Sequence, residues 1–274
     1  MKADLHVHST ASDGTLSPHE LVSLAAASGV DVLALADHDS VAGIPDALEA
    51  ASGTSVLLIP AVELSACTPD GRDVHILGYG LDFRDATLAA RLAQLRDARL
   101  ERARTMVGIL SADGYTVALD DVLALSDGGA VGRSHVARAL VDSGHADDIA
   151  DAFNRLIGHG KAYYVAKSVK TPGEAMHIIR EAGGVPVVAH PGVNRADAII
   201  HEHASGLLGG IEALHADHTP EQKVHYLALA ESLGLLVTGG TDFHGPQAHN
   251  PPLGSVEIPE HHVTALLECC GIAR

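Results

Sequence analysis

Two histidines stand two residues apart near the start of the chain, in the stretch "DLHVHSTASDGTLS" from residue 4. If "ADLHVHS" forms a β-strand, His6 and His8 lie on the same face, because alternate residues of a strand point the same way. Two adjacent imidazoles close to the carboxylate of Asp13 would suit a metal ion, since histidine is the commonest metal ligand. The alternative is a pair of solvent-facing histidines on an edge strand, and this stretch alone does not decide between the two.

Further imidazoles and carboxylates occur in or directly after other strand-like runs. The runs are "ALADHDS" with His38, "AVELSA" with Glu63, "DVHILGYG" with His75, "VVAHP" with His190, and "GGTDFHG" with Asp242 and His244. Active sites of parallel barrels lie at the C-terminal ends of the strands, so these side chains are expected to converge. A single histidine at a strand end is more often structural, but nine such residues at successive strand ends are hard to explain by packing.

The elements that would position these residues alternate between strand-like and helical runs, which predicts an α/β fold of parallel βα units. The first helix is predicted in "SPHELVSLAAASG", where Ser17 is the N-cap, Pro18 the first helical residue and Gly29 the stop. Near-continuous apolar runs such as "VPVVA" and "LLVTGG" are typical of strands buried on both faces.

The alternation is interrupted between residues 84 and 160, where the pattern is helical. An insertion between barrel units is expected to cover the mouth of the active site. We therefore predict a barrel built from residues 1–83 and 161–274, with residues 84–160 as a helical cap.

Composition excludes several classes of partner. The 274 residues carry 18 Lys and Arg against 35 Asp and Glu, a formal net charge of −17, which opposes tight binding to duplex DNA. The sequence lacks a basic region followed by an apolar run and lacks the roughly 18 consecutive apolar residues of a membrane span. We expect a cytoplasmic protein with no membrane partner, and composition makes no prediction of its oligomeric state.

Taken together, "DLHVHSTASDGTLS", "ALADHDS", "AVELSA", "VHILGYG", "VAHPG" and "GTDFHG" resemble the PHP (polymerase and histidinol phosphatase) family of metal-dependent phosphoesterases. The resemblance covers nearly the whole chain in the right order. It implies a distorted, TIM-like (β/α)7 barrel with three divalent metal ions. The implied ligands are His6, His8, Glu63 and Asp242 for the first metal, Glu63, His75 and His190 for the second, and Asp13, His38 and His244 for the third. Asp4 and Asp39 would orient ligating imidazoles from behind, although Asp39 would equally serve as a helix cap.

The donor set also indicates the chemistry. Imidazole and carboxylate ligands without thiolate suit Mn, Fe or Zn, of which we expect Mn. Such metals polarise phosphoryl oxygens and activate water, which predicts phosphoester hydrolysis by in-line water attack. Glu63, His190 and Asp242 are the expected catalytic residues among the ligands.

The predicted cap carries the information on substrate. "AVGRSHVARAL" and "GKAYYVAK" resemble cap segments of the PHP subgroup that removes the 3′-phosphate from nucleoside 3′,5′-bisphosphates, some members of which trim short RNA from the 5′ end. By this resemblance Arg133 would pair with the distal phosphate, because its planar fork suits bidentate phosphate binding. Its expected helpers are Ser134, His135 and Lys161. The alternative for Arg133 is a surface charge at a helix start.

Two histidines of "IEALHADHTPEQ", His215 and His218, would line the same pocket. Either could protonate the leaving oxygen, and the sequence does not assign that role, although His218 is included among the candidate catalytic residues. The leading hypothesis is a Mn-dependent phosphatase for 3′,5′-bisphosphonucleotides that also accepts short 5′-phosphorylated single-stranded RNA. A second hypothesis keeps the metals but makes the substrate another small monoester such as histidinol phosphate. A third, a non-enzymatic PHP module that assists a polymerase, conflicts with a complete ligand set.

Overall fold

The computed structural model describes residues 1–126, 128–166, 170–246 and 251–273. Its seven strands form a single sheet in sequential order. They are β1 (Ala3–Val7), β2 (Val32–Leu35), β3 (Leu57–Cys67), β4 (Asp73–Tyr79), β5 (Val185–Val188), β6 (Gly210–His215) and β7 (Leu236–Gly240). The last strand returns to the first, where Val7 and Phe243 form a parallel bridge and the His8 amide donates to the Phe243 carbonyl at 2.9 Å. The sheet is therefore a nearly closed barrel.

Helices connect and cover the strands. They are α1 (Pro18–Ala27), α2 (Ile44–Ala51), α3 (Ala86–Ala112), α4 (Leu119–Ser126), α5 (Arg133–Asp142), α6 (Ile149–Ala152), α7 (Pro172–Glu181), α8 (Pro191–Asn194), α9 (Asp197–His203), α10 (Pro220–Leu233) and α11 (Glu260–Cys269), with a π-helical turn over Phe153–Ile157. The predicted start of α1 is confirmed, because Ser17 is the N-cap directly before Pro18 and forms a reciprocal capping box with Glu20. None of the helices in the described ranges has both the length and the apolar character needed to cross a membrane.

One strand runs against the others. β4 pairs antiparallel with both β3 and β5, whereas the remaining neighbours pair in parallel. The parallel βα units are interrupted at this hairpin, since the short segment between β3 and β4 leaves no room for a crossover helix. Because β4 runs the other way, its early residues Asp73 and His75 lie at the edge where the parallel strands end.

The segment between β4 and α7 has an apolar cluster of its own. Met106 and Leu110 of α3 pack there with side chains of α4, α5 and the π-helical turn. Earlier residues of the same helix, Leu88 and Leu92, instead belong to the cluster of the barrel. The helix α3 thus spans both clusters, and the boundaries 84 and 160 stay a prediction.

Closure of the barrel depends on a glycine. A Cβ at Gly240 would lie 2.5 Å from the His6 Cβ and 2.7 Å from the His6 backbone nitrogen. We expect Gly240→Ala to lower the free energy of unfolding by about 1 to 3 kcal/mol through overpacking, measured from urea-induced unfolding by circular dichroism. The matched control is Gly108→Ala on the exposed side of α3, where nothing lies within 4 Å and removal of a helical glycine favours the fold. Equal unfolding midpoints for the two variants would contradict the close packing of β7 against β1.

Candidate metal centre

Glu63 lies at the centre of a cluster of imidazoles at the C-terminal edge of the parallel strands. Its carboxylate oxygens lie within 3.5 Å of ring nitrogens of five histidines: His6, His8, His38, His75 and His190. The shortest contacts are 2.8 Å from Oε2 to His38 Nδ1 and 2.9 Å from Oε1 to His75 Nδ1. The carboxylate is only 1% exposed. The structure thus brings together residues from five separate stretches of sequence, as the strand-end pattern predicts.

Two further carboxylates complete the cluster. Asp242 Oδ1 lies 3.0 Å from His8 Nε2 and 3.4 Å from His6 Nε2. Asp13 Oδ1 lies 3.2 Å from His244 Nε2, and the His38 ring is 3.9 Å from the other oxygen of Asp13. All nine residues that the sequence predicted as ligands are therefore close to one another.

The donor atoms of this cluster have the features of a metal site. Within the described residues, several buried atoms have no hydrogen-bond partner: His6 Nε2, both ring nitrogens of His8, His38 Nδ1, His215 Nε2, Asp13 Oδ1, Glu63 Oε2 and Asp242 Oδ1. Unpaired buried polar atoms are costly, because each has lost its hydration without a replacement. Divalent cations would satisfy these lone pairs, and the imidazole and carboxylate donors suit them. Groups of three or four candidate ligands have their donor atoms within 4.8 Å of one another.

The cluster holds its carboxylates in the ionised form. Burial alone would raise the pKa of Glu63, but the neighbouring imidazoles of His38 and His75 outweigh it and hold the pKa well below its usual range. Burial, together with repulsion from the His244 ring, lowers the pKa of His8 to about 4. The ionised carboxylates and the neutral His8 ring are thus in the form that binds cations. Against the effect of burial, the same carboxylates raise the pKa of His6, His190 and His244, so a cation that binds these rings releases protons from them.

The backbone is strained where the site residues leave their strands. Asp39, His190 and Asp242 have φ angles of 50°, 29° and 53°, in the region that non-glycine residues rarely adopt. Such conformations persist only where the surroundings enforce them, and they concentrate at functional sites. At Asp242 the enforcing group is Asp4, whose carboxylate accepts from the amide and the hydroxyl of Thr241.

Asp4 and Asp39 both form hydrogen bonds with the backbone around the cluster. The Asp4 carboxylate accepts from backbone amides and the Thr241 hydroxyl, and among the described residues it contacts no imidazole ring. The Asp39 carboxylate accepts from the Ser65 amide and forms an ion pair with the buried Arg99. Both acids thus hold the backbone and the neighbouring helix in place.

Comparison with known proteins identifies the family. The PHP domain family matches residues 4–165. The chain belongs to the PHP family.

Two relatives are similar to this chain along most of their length. The 3′,5′-nucleoside bisphosphate phosphatase of Chromobacterium violaceum is 36% identical over 261 residues, covering 93% of this chain and 91% of the relative. The 5′-3′ exoribonuclease Rnm of Escherichia coli is 36% identical over 253 residues, covering 89% and 85%.

The PHP fold is confirmed by a solved structure. A crystal structure from Bifidobacterium adolescentis, described as that of a metal-dependent phosphoesterase, matches this chain with a TM-score of 0.90 and 34% identity. The match covers 99% of this chain and 96% of the other. Both the predicted family and the predicted barrel are therefore supported by a neighbour of similar length.

The insertion reaches the PHP site through the start of α5. Ser134 Oγ donates to Asp13 Oδ2 at 2.8 Å, so this predicted substrate-binding residue contacts a candidate metal ligand. The neighbouring His135 is buried, and its Nδ1 accepts from the Gly132 amide at 2.9 Å. Lys161 is exposed in a turn after the π-helical segment. The last residue of the "GKAYYVAK" motif, Lys167, lies outside the described residues.

A cavity of about 110 Å³ lies between the candidate metal ligands and the segment that contains α3 and α5. It is lined by Asp13, His38 and His75 on one side and by Arg99, Arg102, Gly132, Arg133, Ser134 and Phe153 on the other. Arg133 thus lines the same cavity as three candidate metal ligands, and its predicted contact with a phosphate stays a prediction. Arg99 and Arg102 were not singled out from the sequence, because on α3 they follow the spacing of an ordinary polar helix face.

His215 presents an N–H group to the cluster. The Asp217 amide donates to His215 Nδ1 at 3.1 Å, so a neutral ring carries its hydrogen on Nε2. That nitrogen is buried, and it lies 3.8 Å from Asp242 Oδ2. Burial lowers the pKa of His215, which favours the neutral ring.

His218 has a different arrangement. Its Nε2 accepts from the Gly192 amide at 3.0 Å, and its Nδ1 lies 3.0 Å from the Ala213 carbonyl, to which it donates. Both ring nitrogens are therefore bonded to backbone. The geometry does not support the expectation that His218 protonates a leaving group, because the ring has no N–H free to turn toward the metal ligands.

Proposed function

We propose that this PHP enzyme removes the 3′-phosphate from nucleoside 3′,5′-bisphosphates, using three divalent metal ions. Mn is the proposed metal. The enzyme is a hydrolase that acts on phosphate esters. Short 5′-phosphorylated RNA is the proposed second substrate, in line with relatives named as a bisphosphate phosphatase and as a 5′-3′ exoribonuclease.

A second cationic site beside the metal ligands is the observation that carries this proposal. Arg102 is 8% exposed, and its Nη2 has no hydrogen bond to any described residue. Arg133 and Arg102 both approach Asp73 Oδ2, at 2.9 and 3.6 Å. Burial, reinforced by the neighbouring Arg133, lowers the pKa of Arg102 to about 10, so the guanidinium remains charged at neutral pH.

Paired guanidinium groups are suited to a phosphate, which they can hold by charge-assisted hydrogen bonds. A nucleoside 3′,5′-bisphosphate would place its reacting phosphate at the metal ligands and its 5′-phosphate at Arg102 and Arg133. Lys161 and His135, with Ser134, complete the proposed binding set, Ser134 acting by holding Asp13. Histidinol phosphate has a single phosphate and would leave the two arginines with no phosphate to bind, which disfavours the monoester hypothesis.

The metal ligands supply the remaining chemistry. Divalent metals bound there would polarise the phosphoryl oxygens and activate water. Glu63, His190 and Asp242 would hold the metals there, with the carboxylates of Glu63 and Asp242 ionised. His215 donates a hydrogen bond from Nε2 toward the reacting oxygens, a role in which a neutral imidazole stabilises developing negative charge.

Separate substitutions of His215 and of the nearby His218 test the role of His215. We expect His215→Ala to lower kcat by about 10²-fold to 10³-fold, as for the loss of one preorganised donor, and His215→Gln to restore part of it. His218→Ala should chiefly lower the melting temperature, because that ring joins two backbone segments. Single-turnover phosphate release and thermal unfolding measure the two effects. A greater loss of kcat in folded His218→Ala than in His215→Ala would reverse the assignment.

The substrate is tested by phosphate release from three compounds with Mn-loaded protein. They are 3′,5′-bisphosphoadenosine, histidinol phosphate and a short 5′-phosphorylated RNA. We expect the highest kcat/KM with the bisphosphate. A preference for histidinol phosphate would overturn the nucleotide proposal. Failure to release phosphate from any of the three compounds with metals bound would show that the substrate is a different compound.

A further inference from the structure

Glu212 is a buried carboxylate in the middle of β6 that the sequence analysis did not single out. It is 0% exposed. Its Oε1 lies 3.0 Å from His6 Nδ1, and its Oε2 accepts from the His190 amide at 2.8 Å. One side chain therefore contacts two candidate metal ligands, one in β1 and one just after β5.

The contact with His6 determines which of its nitrogens can bind a metal. An ionised carboxylate only accepts hydrogen bonds, so the hydrogen of a neutral His6 ring must lie on Nδ1. The lone pair is then on Nε2, which is buried and lies 3.4 Å from Asp242 Oδ1 and 3.5 Å from Glu63 Oε2. Glu212 thus turns the metal-binding nitrogen of His6 toward the other ligands.

The contact with His190 acts on the backbone. His190 has a φ of 29°, an unfavourable conformation that needs support. A hydrogen bond from its amide to a charged carboxylate supplies that support, since charge-assisted bonds are the strong ones. The same bond fixes the point from which the His190 ring reaches Glu63 Oε1, 3.0 Å away.

We propose that Glu212 is a positioning residue that fixes the tautomer of His6 and the backbone of His190, and so prepares two parts of the metal centre at once. This inference rests on the metal-dependent function proposed above. It assigns Glu212 no contact with substrate.

Glutamine at this position cannot perform both tasks. The backbone amide of His190 is always a donor, so the single carbonyl oxygen of Gln would face it. The NH2 group would then face His6 Nδ1 and donate to it, which moves the ring hydrogen to Nε2. The metal-binding lone pair would be lost while the size of the side chain stays the same.

The experiment compares wild type, Glu212→Gln and the control Tyr79→Phe. Tyr79 is buried in the barrel and donates at 2.9 Å to the carbonyl of Leu5, the residue before His6. Against the effect of burial, Glu212 and Asp242 raise the pKa of His6, so long-range ¹⁵N–¹H spectra of metal-free protein are recorded at alkaline pH, where the ring is neutral, and report its tautomer. Calorimetry and elemental analysis report Mn affinity and stoichiometry. We expect Nδ1–H in wild type and Tyr79→Phe, Nε2–H in Glu212→Gln, and an affinity about 10- to 100-fold weaker in Glu212→Gln alone.

The outcomes separate the inference from the proposed function. Wild-type protein that binds no Mn would refute the metal-dependent function. Wild type that binds Mn, together with Glu212→Gln of unchanged tautomer and affinity, would refute the role of Glu212 alone. If Glu212→Gln does not fold, the wild-type spectrum still decides, because Nε2–H on His6 would contradict the proposed tautomer.

Discussion

Glu63→Gln should abolish the metal centre and lower phosphate release by at least about 10³-fold, the upper end of the loss for one preorganised catalytic group. The Glu63 carboxylate lies within 3.5 Å of ring nitrogens of five histidines. Gln keeps the shape but removes the negative charge, so the two cations that Glu63 would share lose an anionic ligand. The effect should appear in metal content as well as in activity, because the same oxygens serve several candidate ligand groups.

Elemental analysis and thermal unfolding with and without added Mn measure this effect. Each occupied site stabilises the folded state by about 2.7 kcal/mol when the metal is at 100 times its Kd, so Mn should raise the melting temperature of wild type. The shift should shrink sharply in Glu63→Gln and remain in Glu101→Gln, a control on the exposed side of α3. A wild-type metal count in Glu63→Gln would rule out Glu63 as the shared ligand.

The ligand cluster could be predicted from the sequence because its members follow a simple rule. Residues such as His8, His38 and His190 stand at or just past the ends of apolar runs, and parallel strands bring those ends to one edge. Neither the distances nor the strained backbone at His190 and Asp242 follow from that rule. They depend on packing between elements that the sequence pattern only orders.

The residues missed by sequence analysis share a different property. Glu212 contacts His6 across 206 positions of sequence, and its only local signal is a charge inside the apolar strand run "GIEALH". Arg102 follows the ordinary spacing of a polar helix face, and only the packing of α3 shows that it is buried. A carboxylate in a strand buried on both faces must have a partner, so Glu212 was detectable as a candidate, although its partner was not.

Contacts between distant residues also distinguish His215, the last residue of β6, from His218 just after it. His215 and His218 are three positions apart and have the same chemistry, so the sequence offers no reason to choose between them. The choice depends on which backbone groups meet each ring. Asp217 fixes one ring nitrogen of His215, whereas Gly192 and Ala213 occupy both nitrogens of His218.

Replacing Arg133 with Ala or Arg102 with Met should remove the preference for a second phosphate and leave the metal centre intact. A charge-assisted hydrogen bond contributes about 1.5 to 3 kcal/mol, so kcat/KM for 3′,5′-bisphosphoadenosine should fall by about 10- to 150-fold in each variant. A substrate that lacks the 5′-phosphate, adenosine 3′-monophosphate, should be hydrolysed with nearly unchanged kcat/KM. The ratio of the two kcat/KM values therefore measures the arginine site separately from the chemistry at the metals.

The structure provides a matched control on the same helix. Arg104 lies two residues beyond Arg102, but its side chain is 58% exposed and pairs with Glu101 at the surface, where an ion pair contributes little. Arg104→Met should therefore leave both kcat/KM values unchanged. Equal losses on bisphosphate and monophosphate in Arg102→Met would show that this arginine acts on the fold or the metals rather than on the distal phosphate. A selective loss would show that the buried guanidinium distinguishes substrates by their second charge, which the metal ligands alone cannot do.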